Sequence, residues 1–210
     1  MRFLPIPIRP LMPVLRVMKN GKHLCTVGSD DVWMFSASVW GEIWGPEVSF
    51  LDVAGGGKRR ADGESDFLIW EMPHELAKLD RITFHFEEGS ESAPKGTKFN
   101  PDAYPPEEPK IEMSFPPTEA DLATLEARPP LNNGLSWSFS ANGGQTICVA
   151  PDSSQQHVGL HLLWNEDRPE RLRVNLSKTS LREIVSRSGG EKLFLEYVSL
   201  GSHIEIAVGV

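Results

Sequence analysis

Between Arg81 and Phe86 the chain alternates strictly. Ile82, Phe84 and Phe86 point one way, and Arg81, Thr83 and His85 the other. A period of two with a single apolar side is the pattern of a half-buried strand. The same alternation sets Leu172, Val174 and Leu176 against Arg171, Arg173 and Asn175. It also places Val158, Leu160, Leu162 and Trp164 on one face, and Ile204, Ile206 and Val208 opposite His203 and Glu205. These segments predict antiparallel sheets with one wet face. Predicted strands cover 22–28, 32–41, 47–54 and 80–88, and again 144–150, 156–164, 170–177 and 202–209. "DFLIWEM" adds a strand at 66–72. "TSLREIVSRSGG" reads as a short helix, with Thr179 or Ser180 as its cap and Gly189-Gly190 at its end.

The two groups of strands are written in related text. Asn20-Gly21 matches Asn142-Gly143, 122 positions on, and both pairs sit between apolar stretches, the signature of a tight hairpin. Cys25 matches Cys148 at 123, Trp40 matches Trp164 at 124, Pro46-Glu47 matches Pro169-Glu170 at 123, and Ile82 matches Ile204 at 122. A near-constant offset over some 60 residues points to internal duplication. The fold expected is mainly β: two related antiparallel sandwich- or barrel-like units with minor helix content. A proline-rich arm spans 1–13, a first unit 14–89, a connector 90–133 and a second unit 134–210. The connector holds nine of the seventeen prolines, which remove backbone donors and bar the preceding residue from helix. One short helix fits inside it: Thr118 as cap, Asp121 three residues on, then Leu122 and Leu125.

Net charge is −8 and the pI about 5.3. A duplex-DNA binder needs a basic face to release counterions, so nucleic acid is not an expected partner. No stretch approaches the roughly 20 apolar residues of a membrane span, and the N-terminal apolar run is broken by prolines, so a cytoplasmic location without membrane contact is expected. Two distant cysteines make no disulfide framework.

The candidates for chemistry are few. Cys25 and Cys148 lie in "HLCTV" and "TICVA", apolar contexts that predict two buried free thiols rather than nucleophiles. "HELAK" at 74–78 has Lys78 where a zinc helix needs a second histidine. His157 and His161 share the wet face of one strand and form a weak candidate metal pair, short of the three or four ligands a site needs. No cofactor is expected. "GGGKRR" at 55–60 lacks the spacing of a phosphate loop and predicts a flexible hairpin loop. Adjacent acid pairs such as Glu166-Asp167 point to opposite strand faces and form no dyad. Trp40 and Trp164 are expected as core lids. Trp44, in the turn of "WGEIWGPE", is a candidate anchor, and with Lys58, Arg59 and Arg60 it is expected to form one recognition patch.

The phrase "NGKHLCTVG", followed by "FSASVW" and "LDRITF", resembles a family of uncharacterised bacterial proteins that pair an N-G-x-x-L-C-x-x-G opening with a closing strand of the form L-x-x-x-D-x-I. That resemblance covers residues 17–88, implies a bacterial origin and brings no catalytic residues. The residues shared by the two copies are those of turns and cores, so function is expected to be asymmetric or to lie between the copies. A non-catalytic protein-binding module, of inhibitor, immunity or assembly type, is the first expectation. A carbohydrate- or small-ligand-binding protein is the second, and an enzyme with a noncontiguous site the third.

Overall fold

A computed structural model of the protein describes residues 12–45, 48–100 and 117–209. The chain forms β1 (Pro13–Lys19), β2 (Lys22–Gly28), β3 (Val32–Glu42), β4 (Ser49–Gly57), β5 (Phe67–Leu76), β6 (Arg81–Glu88) and β7 (Thr97–Lys98). After α1 (Glu119–Glu126) come β8 (Trp137–Ala141), β9 (Ile147–Val149), β10 (His157–Asn165), β11 (Arg171–Thr179), α2 (Leu181–Ser186), β12 (Glu191–Ser199) and β13 (Ser202–Val208). The predicted strands are all present, within a few residues at their ends. Both helices begin with the expected cap: Thr118 pairs reciprocally with Asp121, and Ser180 with Glu183. Arg182 ties them together by reaching both Glu119 and Glu126 at 2.8 Å.

The strands form two antiparallel sheets. The first has the order β2-β1-β6-β13-β8-β9 and the second β12-β11-β10-β3-β4-β5-β7. Both sheets draw on both halves of the chain, which meet at β6–β13 in one and at β3–β10 in the other. One hydrophobic core, containing Phe35, Phe84, Trp137, Trp164 and Ile206, runs through both halves. The units expected at 14–89 and 134–210 are therefore two halves of a single sandwich. Most of the 1–13 arm, the 101–116 part of the connector and the Pro46-Glu47 match lie outside the described residues.

Strand register repeats between the halves. In the first sheet Val17↔Cys25 recurs as Phe139↔Ile147, and Leu15↔Phe86 as Trp137↔Val208, each 122 positions on. In the second, Val39↔Leu51 recurs as Leu162↔Val174, 123 positions on. This corrects two sequence matches. Cys25 is equivalent to Ile147, not Cys148; Trp40 is equivalent to Leu163, not Trp164. A slip of one residue moves a side chain to the other face of its strand. Cys25 is accordingly buried and Cys148 exposed. Trp164 is in the core, stacked on Phe35 at 4.9 Å, while Trp40 lies on the outer face, stacked on Phe50 at 4.6 Å with its N–H on Asp52.

The Asn-Gly hairpins are as expected, with Asn20 and Asn142 both at φ 51°. Each asparagine also clasps the next strand. Asn20 Oδ1 accepts from the Arg81 N–H, and Asn142 Oδ1 from the His203 N–H. Gly55-Gly56-Gly57 belongs to β4 instead of a flexible loop. A Cβ at Gly56 would stand 2.4 Å from the Trp33 indole nitrogen, so glycine lets the indole lie flat on the strand.

Candidate functional site

The expected patch of Trp44 with the basic cluster is not assembled. Val32 pairs with Gly57, and Trp40 with Phe50, so Lys58, Arg59 and Arg60 follow one end of β3 and Trp44 the other. At about 3.3 Å per residue the strand separates them by roughly 30 Å. Trp44 donates to the Arg128 carbonyl and holds the end of the connector. The basic side chains are engaged locally. Lys58 meets Glu166 at 3.8 Å, Arg59 stacks on Trp33 at 4.1 Å, and Arg60 reaches Asp62, Glu64 and Asp66.

His157 and His161 do lie on the outer face of β10, opposite Glu42 and Ser38. Loss of hydration through partial burial holds both imidazoles below the usual histidine value; Glu42 opposes this at His157, and the charge of Arg173 adds to it at His161. Among the described residues no three His, Cys, Asp or Glu side chains gather as metal ligands. Burial pushes the Cys25 thiol up to about 12, the opposite of an activated nucleophile. Each of the six tryptophans donates its indole N–H within the chain. No helix is long and apolar enough to cross a membrane among the described residues.

The two halves differ most at their edges. In the first half, residues 90–98 close the sandwich edge. Thr26 and Ala93 exchange backbone hydrogen bonds of 2.8 and 3.0 Å, and the Gly28 N–H donates to Ser92. Trp70 donates to the Pro94 carbonyl and lies against Gly96, where a Cβ would come within 2.7 Å of the ring. Thr97 and Lys98 then pair with Ile69 and Leu68 of β5. Lys95 and Lys98 anchor this strap on Asp31 and Asp66 at 2.9 and 2.8 Å. Burial pushes the Asp31 carboxyl up, but hydrogen bonds from Lys95 and Ser92 outweigh it and hold the group below its ordinary value.

In the second half the matching edge is uncovered among the described residues. β9 and β12 end their sheets, and no described segment crosses between them. Cys148 faces Ser138 as Thr26 faces Arg16. Its backbone N–H and C=O therefore point away from the sheet, as those of Thr26 do toward Ala93. Between the two edges lies a groove of about 330 Å³ lined by Phe139, Ala141, Gln145, Ile147, Phe194 and Glu196. Phe139 and Phe194 meet at its base, 5.0 Å apart. β12 is nine residues long, with Leu195 and Tyr197 41% and 58% exposed.

A second feature lies on the outer face of the same end. Arg171 and Arg173 alternate on β11 and Arg168 stands in the preceding turn; with Leu163, Asn165 and Tyr197 they line a depression of about 210 Å³. The Arg171 guanidinium stacks on the Tyr197 ring at 4.2 Å. The sequence shows Arg171 and Arg173 on a wet strand face, but not that Arg168 and Tyr197 join them, because that depends on the hairpin and on β12 register. The uncovered edge leaves no signal in the sequence of β9 or β12 themselves. No family model, curated protein or solved structure matches this chain.

Proposed function

We propose that this chain is a non-catalytic protein-binding module that takes an extended segment of a partner protein into the open edge between β9 and β12. One observation carries the reading: the chain closes the equivalent edge of its first half with its own residues 90–98. An uncovered strand edge is a row of unmade backbone hydrogen bonds, which proteins normally blunt or cover. Strand addition at such an edge is a common way to bind a peptide; main-chain bonds supply affinity and side-chain pockets supply choice. The strap shows which chemistry suits the site. It is extended, small-residued around Pro94 and Gly96, and basic at Lys95 and Lys98. The open rim is acidic, with Glu191 and Asp152 sharing Lys178 at 3.5 and 3.7 Å. The preferred segment is therefore extended, compact in side chain, and basic. Free thiols at Cys25 and Cys148 suit a reducing compartment such as the cytoplasm.

Cys148 provides the test, because its thiol is exposed on β9, the edge strand of the proposed site, while Cys25 is buried. A photo-reactive group placed on Cys148 is expected to cross-link one partner through a short extended segment. Free peptide of that segment should compete. Cross-links confined to this chain's own residues, or a partner captured equally well from a cysteine placed at Leu79 in a Cys148→Ser background, would refute the assignment.

A further inference from the structure

We infer that the depression bounded by Arg168, Arg171, Arg173 and Tyr197 is a binding site for a phosphoryl-type oxyanion. It lies on the outer sheet face, apart from the groove, and the inference does not depend on strand addition. Each part of the site is placed by register. Arg173 stands between Leu163 of β10 and Tyr197 of β12. Arg171 stands opposite Ser199 and two residues along the same face, and its guanidinium swings over the Tyr197 ring. Arg168 closes the end from the turn, where its N–H donates to the Asn165 carbonyl.

What sets these arginines apart is that three of them converge on one depression with no carboxylate among its lining residues. Arg60, Arg81, Lys95 and Arg182 each meet a carboxylate within 4.0 Å. Among the described residues, none of Arg168, Arg171 and Arg173 does, although Asp167 and Glu170 stand in the same turn. Three like charges converging in an otherwise acidic chain repel one another, and an anion removes that repulsion. The same face holds unpaired buried polar atoms: Asn165 Oδ1, Arg171 Nε and Asn175 Oδ1 have no partner, against only Ser29 Oγ elsewhere among the described residues. Such atoms are rare, and a ligand site is one of the few settings that accounts for them. Guanidiniums bind phosphate through paired N–H donors, and three of them suit a dianion better than a single carboxylate. A phosphoryl group fits a space of about 210 Å³ with room for the atom that carries it. Stacking on Tyr197 fixes one arginine in advance, which lowers the ordering cost of binding.

The test is titration of the intact protein with inorganic phosphate, O-phosphotyrosine, sulfate and acetate. Heat and the side-chain amide resonances of Asn165 and Asn175 are followed together. Saturable binding of phosphate and phosphotyrosine is expected, with acetate much weaker and affinity falling as salt rises. Arg171→Ala and Arg173→Ala should each weaken phosphate at least tenfold, about 1.4 kcal/mol, with the melting temperature held. Tyr197→Phe should retain binding and Tyr197→Ala reduce it. Phosphotyrosine well ahead of phosphate identifies a phosphorylated side chain as the source; parity identifies a small phosphate ester. Either supports the site. Absence of saturable shifts at Asn165 and Asn175, or shifts unchanged in folded Arg171→Ala and Arg173→Ala proteins, would overturn it.

Discussion

Asn142 does two things at once. Its backbone at φ 51° is one that β-carbon sterics disfavour and asparagine tolerates, and its side chain bonds the His203 N–H and the Ser202 hydroxyl. The two contributions can be separated. Asn142→Ala loses both and should cost about 2 kcal/mol, from roughly 1 for the backbone conformation and roughly 1 for the bonds. Asn142→Gly loses only the bonds and should cost about 1 kcal/mol. Urea unfolding of both variants checks this, and equal losses would show that the conformation contributes nothing. The cysteines give a second contrast. Thiol titration of the native protein should show one group, Cys148, reacting at once, and Cys25 only after unfolding, because burial pushes Cys25 up to about 12. Two slow groups would restore the buried pair that the sequence implies. That implication fails for a reason of register. "HLCTV" and "TICVA" look alike, yet the pairs Leu15↔Val27 to Val17↔Cys25 recur as Trp137↔Val149 to Phe139↔Ile147 at 122, and the cysteines differ by 123. Alternation is legible in a sequence; the phase of one strand against its relative is set by partners far along the chain.

At the scale of elements, strands and caps were legible because their causes are local. The Asn-Gly turns, the alternating runs of β6 and β11, and the Thr118 and Ser180 boxes each lie within a few residues. Gly55–Gly57 were not, because these glycines answer to neighbouring strands rather than to a turn of their own: Gly55 to the Met34 carbonyl, Gly56 to the Trp33 indole and Gly57 to Asp66 and Leu68. The strap is a similar case: a stretch that reads only as proline-rich text becomes an edge cover through Thr26, Trp70 and Ile69. Its fit is tight at Gly96. Gly96→Ala forces the Trp70 ring aside, loosens its bond to Pro94, and should cost about 1–3 kcal/mol, the usual range for overpacking. Gly134→Ala, where an added Cβ meets nothing within 4 Å, should be neutral or slightly stabilising. Thermal unfolding of both checks this, and equal melting temperatures would mean that the strap is not packed as described.

At the scale of the molecule, the two halves depend on each other. Each sheet is stitched across its middle, and Phe84, Ile204, Val39 and Leu160 place their side chains in one core. A cleavage site engineered between 101 and 116 should leave, after cutting, two fragments that co-elute and unfold in a single transition. Fragments that separate and stay folded would mean two independent units.

The same correspondence carries the functional reading, since the edge that residues 90–98 close in one half is covered by no described segment in the other. Amide hydrogen exchange at Thr26 and Cys148 tests this most directly. These residues are equivalent in register, and among the described residues only Thr26 is bonded outward, to Ala93. In the free protein the Thr26 amide should be strongly protected and the Cys148 amide should exchange fast. Once the partner recovered through Cys148 is bound, protection at Cys148 and along β12 should rise toward that of Thr26. A Cys148 amide already protected in the free chain, or one that the bound partner leaves unchanged, would contradict the account.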